Sequence, residues 1–215
     1  MTCGHGCATD QKFNRAVAAR DRERYRQHGP DPTTVMIIDL VGGPNPEGAT
    51  LLDIGGGIGV IAHELLARNV VTSALLVEAA SAYLETARSE AHDRGTDARL
   101  RLLQGDFVDV AGEAPAADIV TLDRVVCCYP DYRALLGVAA AKCRTVLAVS
   151  YPRDRWYVRF LFGLQNLARR MTKDTFRTYV HAPVELRRVL VDAGFTLSQQ
   201  HRTMAWAVDS YVRTS

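Results

Sequence analysis

From residue 49 onward the chain alternates short apolar runs with amphipathic stretches at helical spacing. The runs at 50–54, 74–77, 99–103, 119–122 and 145–150 have strand length and few polar residues, as strands covered on both faces of a parallel sheet do. Helical spacing fits 58–68, 80–94 and 132–142 between them, so the segments read as successive βαβ units. Ahead of this core, residues 11–28 are polar and Arg-rich with a thin stripe of Phe13, Val17 and Tyr25, ending at Gly29-Pro30. A second short helix over 33–41 stops at Gly42-Gly43-Pro44-Asn45-Pro46. After Ser150 the rhythm changes to a long apolar-aromatic helix over 155–170, a helix over 183–193 and two closing strands over 195–212. The pattern predicts an α/β fold: a doubly wound seven-strand sheet, mostly parallel, with an antiparallel C-terminal hairpin. It also divides the chain into a helical lead at 1–46 and a core at 47–215 that carries a cap-like insertion at about 151–182.

Composition narrows the class. The 215 residues are 47% hydrophobic and 23% charged, enough apolar material for one sizeable core. A net charge of +2 argues against a generic nucleic-acid surface. No apolar run approaches the roughly 20 residues of a membrane span, and residues 1–10 lack the apolar core of an export signal. The expectation is a cytoplasmic protein with a small-molecule partner, no nucleic acid and no integral span. Five cysteines, an odd number, read as reduced thiols. Cys3, His5 and Cys7 supply three possible metal ligands within five residues, short of the four a structural zinc site takes, and no metal is expected.

The candidate chemistry begins at Leu51-Leu52-Asp53-Ile54-Gly55-Gly56-Gly57-Ile58-Gly59, an apolar strand entering a glycine-rich turn ahead of a helix. The alternate glycines 55, 57 and 59 depart from the dinucleotide pattern Gly-x-Gly-x-x-Gly, whose third glycine would fall at Val60. Glu78 follows the second strand, Asp106-Phe107 the third and Asp123 the fourth. Taken singly, these are a tight turn, a solvated acid and a helix cap. Acids at the carboxyl ends of successive strands point instead to a ligand.

This set resembles the motifs of class I S-adenosylmethionine (SAM)-dependent methyltransferases over about residues 49–150. The resemblance implies a Rossmann-like core that holds SAM through Asp53, Gly55, Gly57 and Gly59. It also implies Glu78 on the ribose hydroxyls, Asp106 on the adenine amino group beside Phe107, and Asp123 where the methionine portion meets the acceptor. In the order of its parts, including the helical lead and the Arg/aromatic segment after Tyr151-Pro152-Arg153, the chain is also similar to magnesium-protoporphyrin O-methyltransferases. The implied reaction is methylation of a small molecule on oxygen, or on sulfur, with S-adenosylhomocysteine (SAH) as product. Orientation does most of the work in such a displacement, so no universal catalytic side chain is required.

Competing readings stay open. One is a Rossmann-like protein that binds adenosine without catalysis; another is a thiol or metalloid methyltransferase using Cys127 and Cys128, which read equally as small core residues. An NAD-dependent oxidoreductase is disfavoured by the turn spacing and by the lack of any Tyr-x-x-x-Lys. Asp123-Arg124-Val125-Val126 is not the Asp/Asn-Pro-Pro-aromatic run of amino-directed DNA methyltransferases. Outside the core motifs the candidates are Tyr25 on the cofactor, Tyr129 and His181 for catalysis, and Arg124, Cys128, Arg155 and Tyr157 on the substrate. Apolar positions in the 155–170 helix wrap further around than one buried stripe needs. That helix therefore lines a pocket, is buried on most sides or forms a dimer surface.

Overall fold

The computed structural model describes residues 9, 10, 12–43, 45–172 and 174–214. Cys3, His5 and Cys7 lie outside the described residues. Two helices, α1 (Arg15–His28) and α2 (Pro32–Val41), precede β1 (Thr50–Ile54), α3 (Val60–Ala67), β2 (Ser73–Glu78) and α4 (Ser81–Asp93). Next come β3 (Leu100–Gln104), the single turn α5 (Phe107–Val110), β4 (Ala117–Leu122), α6 (Tyr132–Lys142) and β5 (Cys143–Pro152). The chain closes with α7 (Trp156–Met171), α8 (Pro183–Asp192), β6 (Phe195–Arg202) and β7 (Trp206–Arg213). The strands make one sheet in the order β3-β2-β1-β4-β5-β7-β6. The first five are parallel, and β7 runs antiparallel between β5 and β6.

The sheet is covered on both faces, and strand alternation decides which residues go where. Leu52, Ile54, Val120 and Leu122 pack with Leu135 and Leu136 of α6 and Leu186 and Leu190 of α8. Leu51 and Ile119 point the other way, into a core shared with Ile37 and Ile38 of α2 and Ile61 and Leu65 of α3. β2, β3, β4 and β5 outrun their sequence-based limits by one or two residues at one or both ends, because pairing extends them. β5 continues to Pro152 along β7, and β2 includes Glu78, which pairs with Gln104. Among the described residues, no helix is long and apolar enough to cross a membrane.

Chain order places β1 and β4 side by side while their successors leave in opposite directions, which opens a crevice at their carboxyl ends. The helical lead closes over it. Asn14 starts α1 by accepting from the N–H groups of Ala16 and Val17 at 3.1 and 3.2 Å, and Gly29, at φ 76°, ends it. α1 is docked on α4 by an apolar cluster of Ala18, Tyr25, Ala82 and Tyr83 and by a group of charges. The buried Glu90 accepts from Arg22 at 2.9 Å, Arg26 at 3.0 Å and Arg94 at 2.8 Å, and Asp93 pairs with Arg22 at 2.6 Å and also with Arg26. Burial alone would raise the Glu90 pKa; the three guanidinium hydrogen bonds outweigh it and hold the acid down to about 2.

Glu90→Gln should therefore lower the melting temperature. Weakening hydrogen bonds to a charged group costs about 2 kcal/mol, or roughly 4–8 °C for a domain of this size. Because the folded-state pKa lies below the ordinary 4.5, this contribution is fully present above 4.5 and lost as pH falls toward about 2. Circular-dichroism melts across that acid range should give a shallower pH dependence for the variant. Superimposable profiles would show that apolar contacts alone hold α1.

Candidate active site

At the mouth of the crevice the chain passes from β1 through Gly55-Gly56-Gly57 toward α3. Gly57 has φ 59°, a conformation that penalises any side chain. Gly56, outside the alternate-glycine pattern, is required for a different reason: a Cβ there would fall 2.3 Å from Asp53 Oδ2. The Gly57 N–H donates to Glu78 Oε2 at 3.0 Å, and Ala80 N–H donates to Oε1 at 2.9 Å. Glu78 thus fixes the turn and also stands in the crevice wall. Burial raises its pKa, and the backbone donors oppose that rise.

The other strand-end acids are satisfied in different ways. Asp106 takes both of its hydrogen bonds on Oδ1, from Val108 N–H at 3.1 Å and from the Tyr129 hydroxyl at 2.6 Å. Asp123 accepts from Thr34 of α2 at 2.6 Å and from Ser150 of β5 at 2.6 Å. Arg124 follows with φ 59°, unusual for a residue with a side chain. Its N–H donates to Ser150 Oγ at 2.7 Å, and its guanidinium reaches Asp31 at 2.8 Å. Asp31 also pairs with Arg24 at 2.9 Å, so one carboxylate ties the α1–α2 junction to the end of β4.

These groups surround a cavity of about 600 Å³. Glu78, Asp106, Phe107 and Asp123 line it with Gly55 and Gly57; Tyr25, Arg124, Cys128 and Tyr129 share the wall. The Tyr25 hydroxyl is committed to Glu64 at 2.7 Å, so its ring rather than its oxygen is available. Burial, then the hydrogen bond to Asp106, raises the Tyr129 pKa and keeps the phenol protonated.

Other candidates stand elsewhere. Asp53 is fully buried beneath the turn and outside the wall, with Oδ1 accepting from Thr121 at 2.7 Å and Oδ2 unpartnered. Gly59, at φ 83°, is likewise behind the wall, at the start of α3 over His63. The structure also takes Arg155, Tyr157 and His181 away from the cavity. Arg155 stands exposed at the start of α7 without a side-chain capping bond, and the Tyr157 hydroxyl is spent on the carbonyl of Met204 at 2.6 Å. His181 Nε2 meets the carbonyls of Val126 and Tyr129 at 3.1 and 3.0 Å, which makes it a support for the 126–129 turn.

The far end of the cavity is built partly from the segment after β5, by residues that were not among the individual site candidates. There Phe162, Phe176 and Trp206 share the wall with Arg169, whose guanidinium lies 5.1 Å from the Phe176 ring centroid and donates to Thr178 Oγ1 at 3.4 Å. Phe13 stacks on Tyr83 at 5.2 Å and meets Phe176 edge-on at 5.5 Å, so the lead and the post-β5 segment touch across the opening. The interleaved aromatics and arginines of 151–181 were the available signal. Their periodicity could not say which face of α7 turned inward. Cys127 and Cys128 bring their sulfurs to 3.6 Å in the same wall. The shared hydrogen bond raises the Cys127 pKa, with burial adding to it, and lowers that of Cys128.

A family model described as a methyltransferase domain matches residues 23–200. A curated relative, 3-amino-4-hydroxybenzoate 4-O-methyltransferase of Streptomyces cremeus, is 31% identical over 156 residues, 67% of this chain; the chain spans 41% of that relative's length. Among solved structures, magnesium protoporphyrin IX methyltransferase from Synechocystis PCC 6803 with bound SAH superposes at a TM-score of 0.74, with 17% identity over 95% of this chain and 98% of the other. An O-methyltransferase family protein from Burkholderia thailandensis gives 0.71 and 18% identity, over 97% of this chain and 64% of its own.

The Asp53 carboxyl yields a further expectation. Burial above all, then repulsion from Asp123 and Glu78, outweighs the Thr121 hydrogen bond and pushes its pKa up to about 7 from an ordinary 3.8. Between those values the folded chain keeps a proton that the unfolded chain has lost, so stability falls as pH rises and is fully reduced above about 7. Asp53→Asn keeps an acceptor for Thr121 and should abolish that slope, leaving the variant at least as stable as the parent near neutral pH. Urea unfolding at a series of pH values measures it; an unchanged slope would place the titration elsewhere.

Proposed function

Since the chain belongs to the methyltransferase-domain family, we propose that it transfers a methyl group from SAM to an oxygen of a small aromatic acid. One observation carries this reading: a single cavity joins the glycine turn, Glu78 and Asp106 to an aromatic wall that holds Arg169. The residues at the first end fit SAM. Glu78 has carboxylate lone pairs beyond those used by Gly57 and Ala80, suited to the ribose hydroxyls, and Asp106 has Oδ2 for the adenine amino group. Gly57 lets the backbone approach closely. Bound SAM supplies a methyl group made electrophilic by its sulfonium.

The rest falls to the chain. Phe162, Phe176 and Trp206 give a flat acceptor an apolar wall and exclude water, while Arg169 pairs with its carboxylate and sets which oxygen faces the methyl group. Such orientation supplies about 7–11 kcal/mol in favourable cases. Arg169, with Lys12 that also meets Asp174 at 3.5 Å, favours the ionised acceptor; its hydroxyl proton passes to solvent before methyl transfer, so no dedicated base is needed in the transfer step. The Streptomyces cremeus relative, by its name, acts on a benzoate bearing a hydroxyl. A second reading, a sulfur or metalloid acceptor, rests on the 3.6 Å sulfur pair. SAH release from a panel of hydroxybenzoates, thiols and arsenite separates the two: turnover of thiols or arsenite but of no aromatic acid would overturn the first.

Two substitutions divide the site. Glu78→Gln should weaken SAH binding about tenfold or more, as expected when a charged acceptor is lost, measured by calorimetry on protein that retains its circular dichroism. Arg169→Gln should raise KM for the aromatic acid by a comparable factor with SAH affinity unchanged. Equal KM values for parent and variant would exclude Arg169 as the carboxylate partner.

A further inference from the structure

The apolar face of α7 points away from the protein. Trp156 is 80% exposed, Phe160 65%, Leu164 54%, Leu167 55% and Met171 80%. At 100° per residue these side chains fall within one narrow stripe along about 24 Å of helix. Leu161 borders it, and Met204, 82% exposed in the β6–β7 turn, joins its first turn through the hydrogen bond from Tyr157 to the Met204 carbonyl. The opposite side of α7 holds the buried Val158 together with Phe162 and Arg169 of the cavity wall. Amphipathic surface helices ordinarily place the apolar stripe inward; this one is reversed.

Charge indicates the occupant. From Arg153 to Thr172 the chain carries five arginines against one acid, Asp154. Arg153 and Arg169 point inward, to the Thr203 carbonyl and to Thr178. Arg155, Arg159 and Arg170 stay exposed beside the stripe, Arg159 paired with Asp154. Antiparallel pairing of α7 with α7 of a second copy would set this arginine flank against itself with Asp154 alone to offset it, and parallel pairing would leave it facing the neutral flank of Leu161 and Ala168. An anionic headgroup layer would instead satisfy the flanking cations while its acyl boundary takes up the Trp, Phe and Leu side chains.

We propose that α7 is an interfacial helix that docks this protein, reversibly and without spanning, on an anionic lipid surface. The stripe supplies apolar partitioning; the arginines select the anionic headgroups. This inference does not depend on the identity of the methyl acceptor.

The test is sedimentation of the full chain with vesicles of phosphatidylcholine alone or with about one third phosphatidylglycerol. Binding to the anionic vesicles, at least tenfold tighter than to neutral ones and weakened by salt, is expected. Each exposed arginine should be worth about fivefold at such a surface, so Arg170→Glu should lose more than that factor. Phe160→Glu combined with Leu164→Glu should abolish binding and leave the melting temperature unchanged, because both side chains are exposed. Tryptophan emission should shift to the blue on anionic vesicles and stop doing so in Trp156→Phe. Failure to bind anionic vesicles would overturn the proposal. So would a dimer in light scattering that the Phe160/Leu164 double substitution converts to monomer, since the face would then belong to a second copy.

Discussion

The architecture of the crevice follows from one constraint: carboxylates gathered at the carboxyl edge of a parallel sheet, wholly or partly buried there, must each find donors. Asp53, Glu78, Asp106 and Asp123 end four neighbouring strands or the turns after them. An unpaired charge there would cost several kcal/mol. Each therefore recruits a donor, and the donors come from separate parts of the chain. Thr121 of the adjacent strand serves Asp53, and the glycine turn serves Glu78. Tyr129 serves Asp106, and Thr34 of α2 with Ser150 of β5 serves Asp123. Meeting the polar demand of the strand ends is what joins the turn, the lead and the post-β4 segment into one wall.

Asp53 shows how far this goes. Its Oδ1 is paired and its Oδ2 is not, and the Gly56 backbone crosses so close to Oδ2 that even a methyl group could not be fitted between them. The acid and the glycine specify each other. A pKa pushed to about 7 is the electrostatic consequence of closing the turn over a carboxyl group. Arg124 carries a related burden. A left-handed backbone costs a residue with a side chain roughly 1–2 kcal/mol, and here the N–H bond to Ser150 and the guanidinium bond to Asp31 offset it.

Much of this was legible in the sequence, for a physical reason. Buried parallel strands and amphipathic helices write their period directly into the chain, and a strand-to-glycine-turn junction with alternate glycines is a local feature. Hence the sheet, its C-terminal hairpin and the family resemblance are legible in the chain alone. What escaped was set by tertiary contact. The length of β5 depends on β7, the need for Gly56 depends on the orientation of Asp53, and the cavity-facing side of α7 depends on its docking angle. Arg155 and Tyr157 looked equivalent to Arg169 and Phe162 in sequence. Arg155 stands about four turns before Arg169, roughly 21 Å along the helix axis, and Tyr157 faces well away from Phe162, so only the second pair reaches the cavity wall. The surroundings of His181 escaped for a similar reason: nothing local shows that its ring nitrogen meets two carbonyls of a turn more than fifty residues earlier.

The two faces of α7 then belong to a single problem. An inward face of Phe162 and Arg169 builds one end of the cavity, while the outward face leaves Trp156, Phe160 and Leu164 in solvent at a cost of about 25 cal/mol for each Å² of apolar surface left uncovered. Folding alone would favour polar residues at those outward positions, since none of them contributes to the core. Their presence on the helix that walls the cavity is better accounted for by something that covers them.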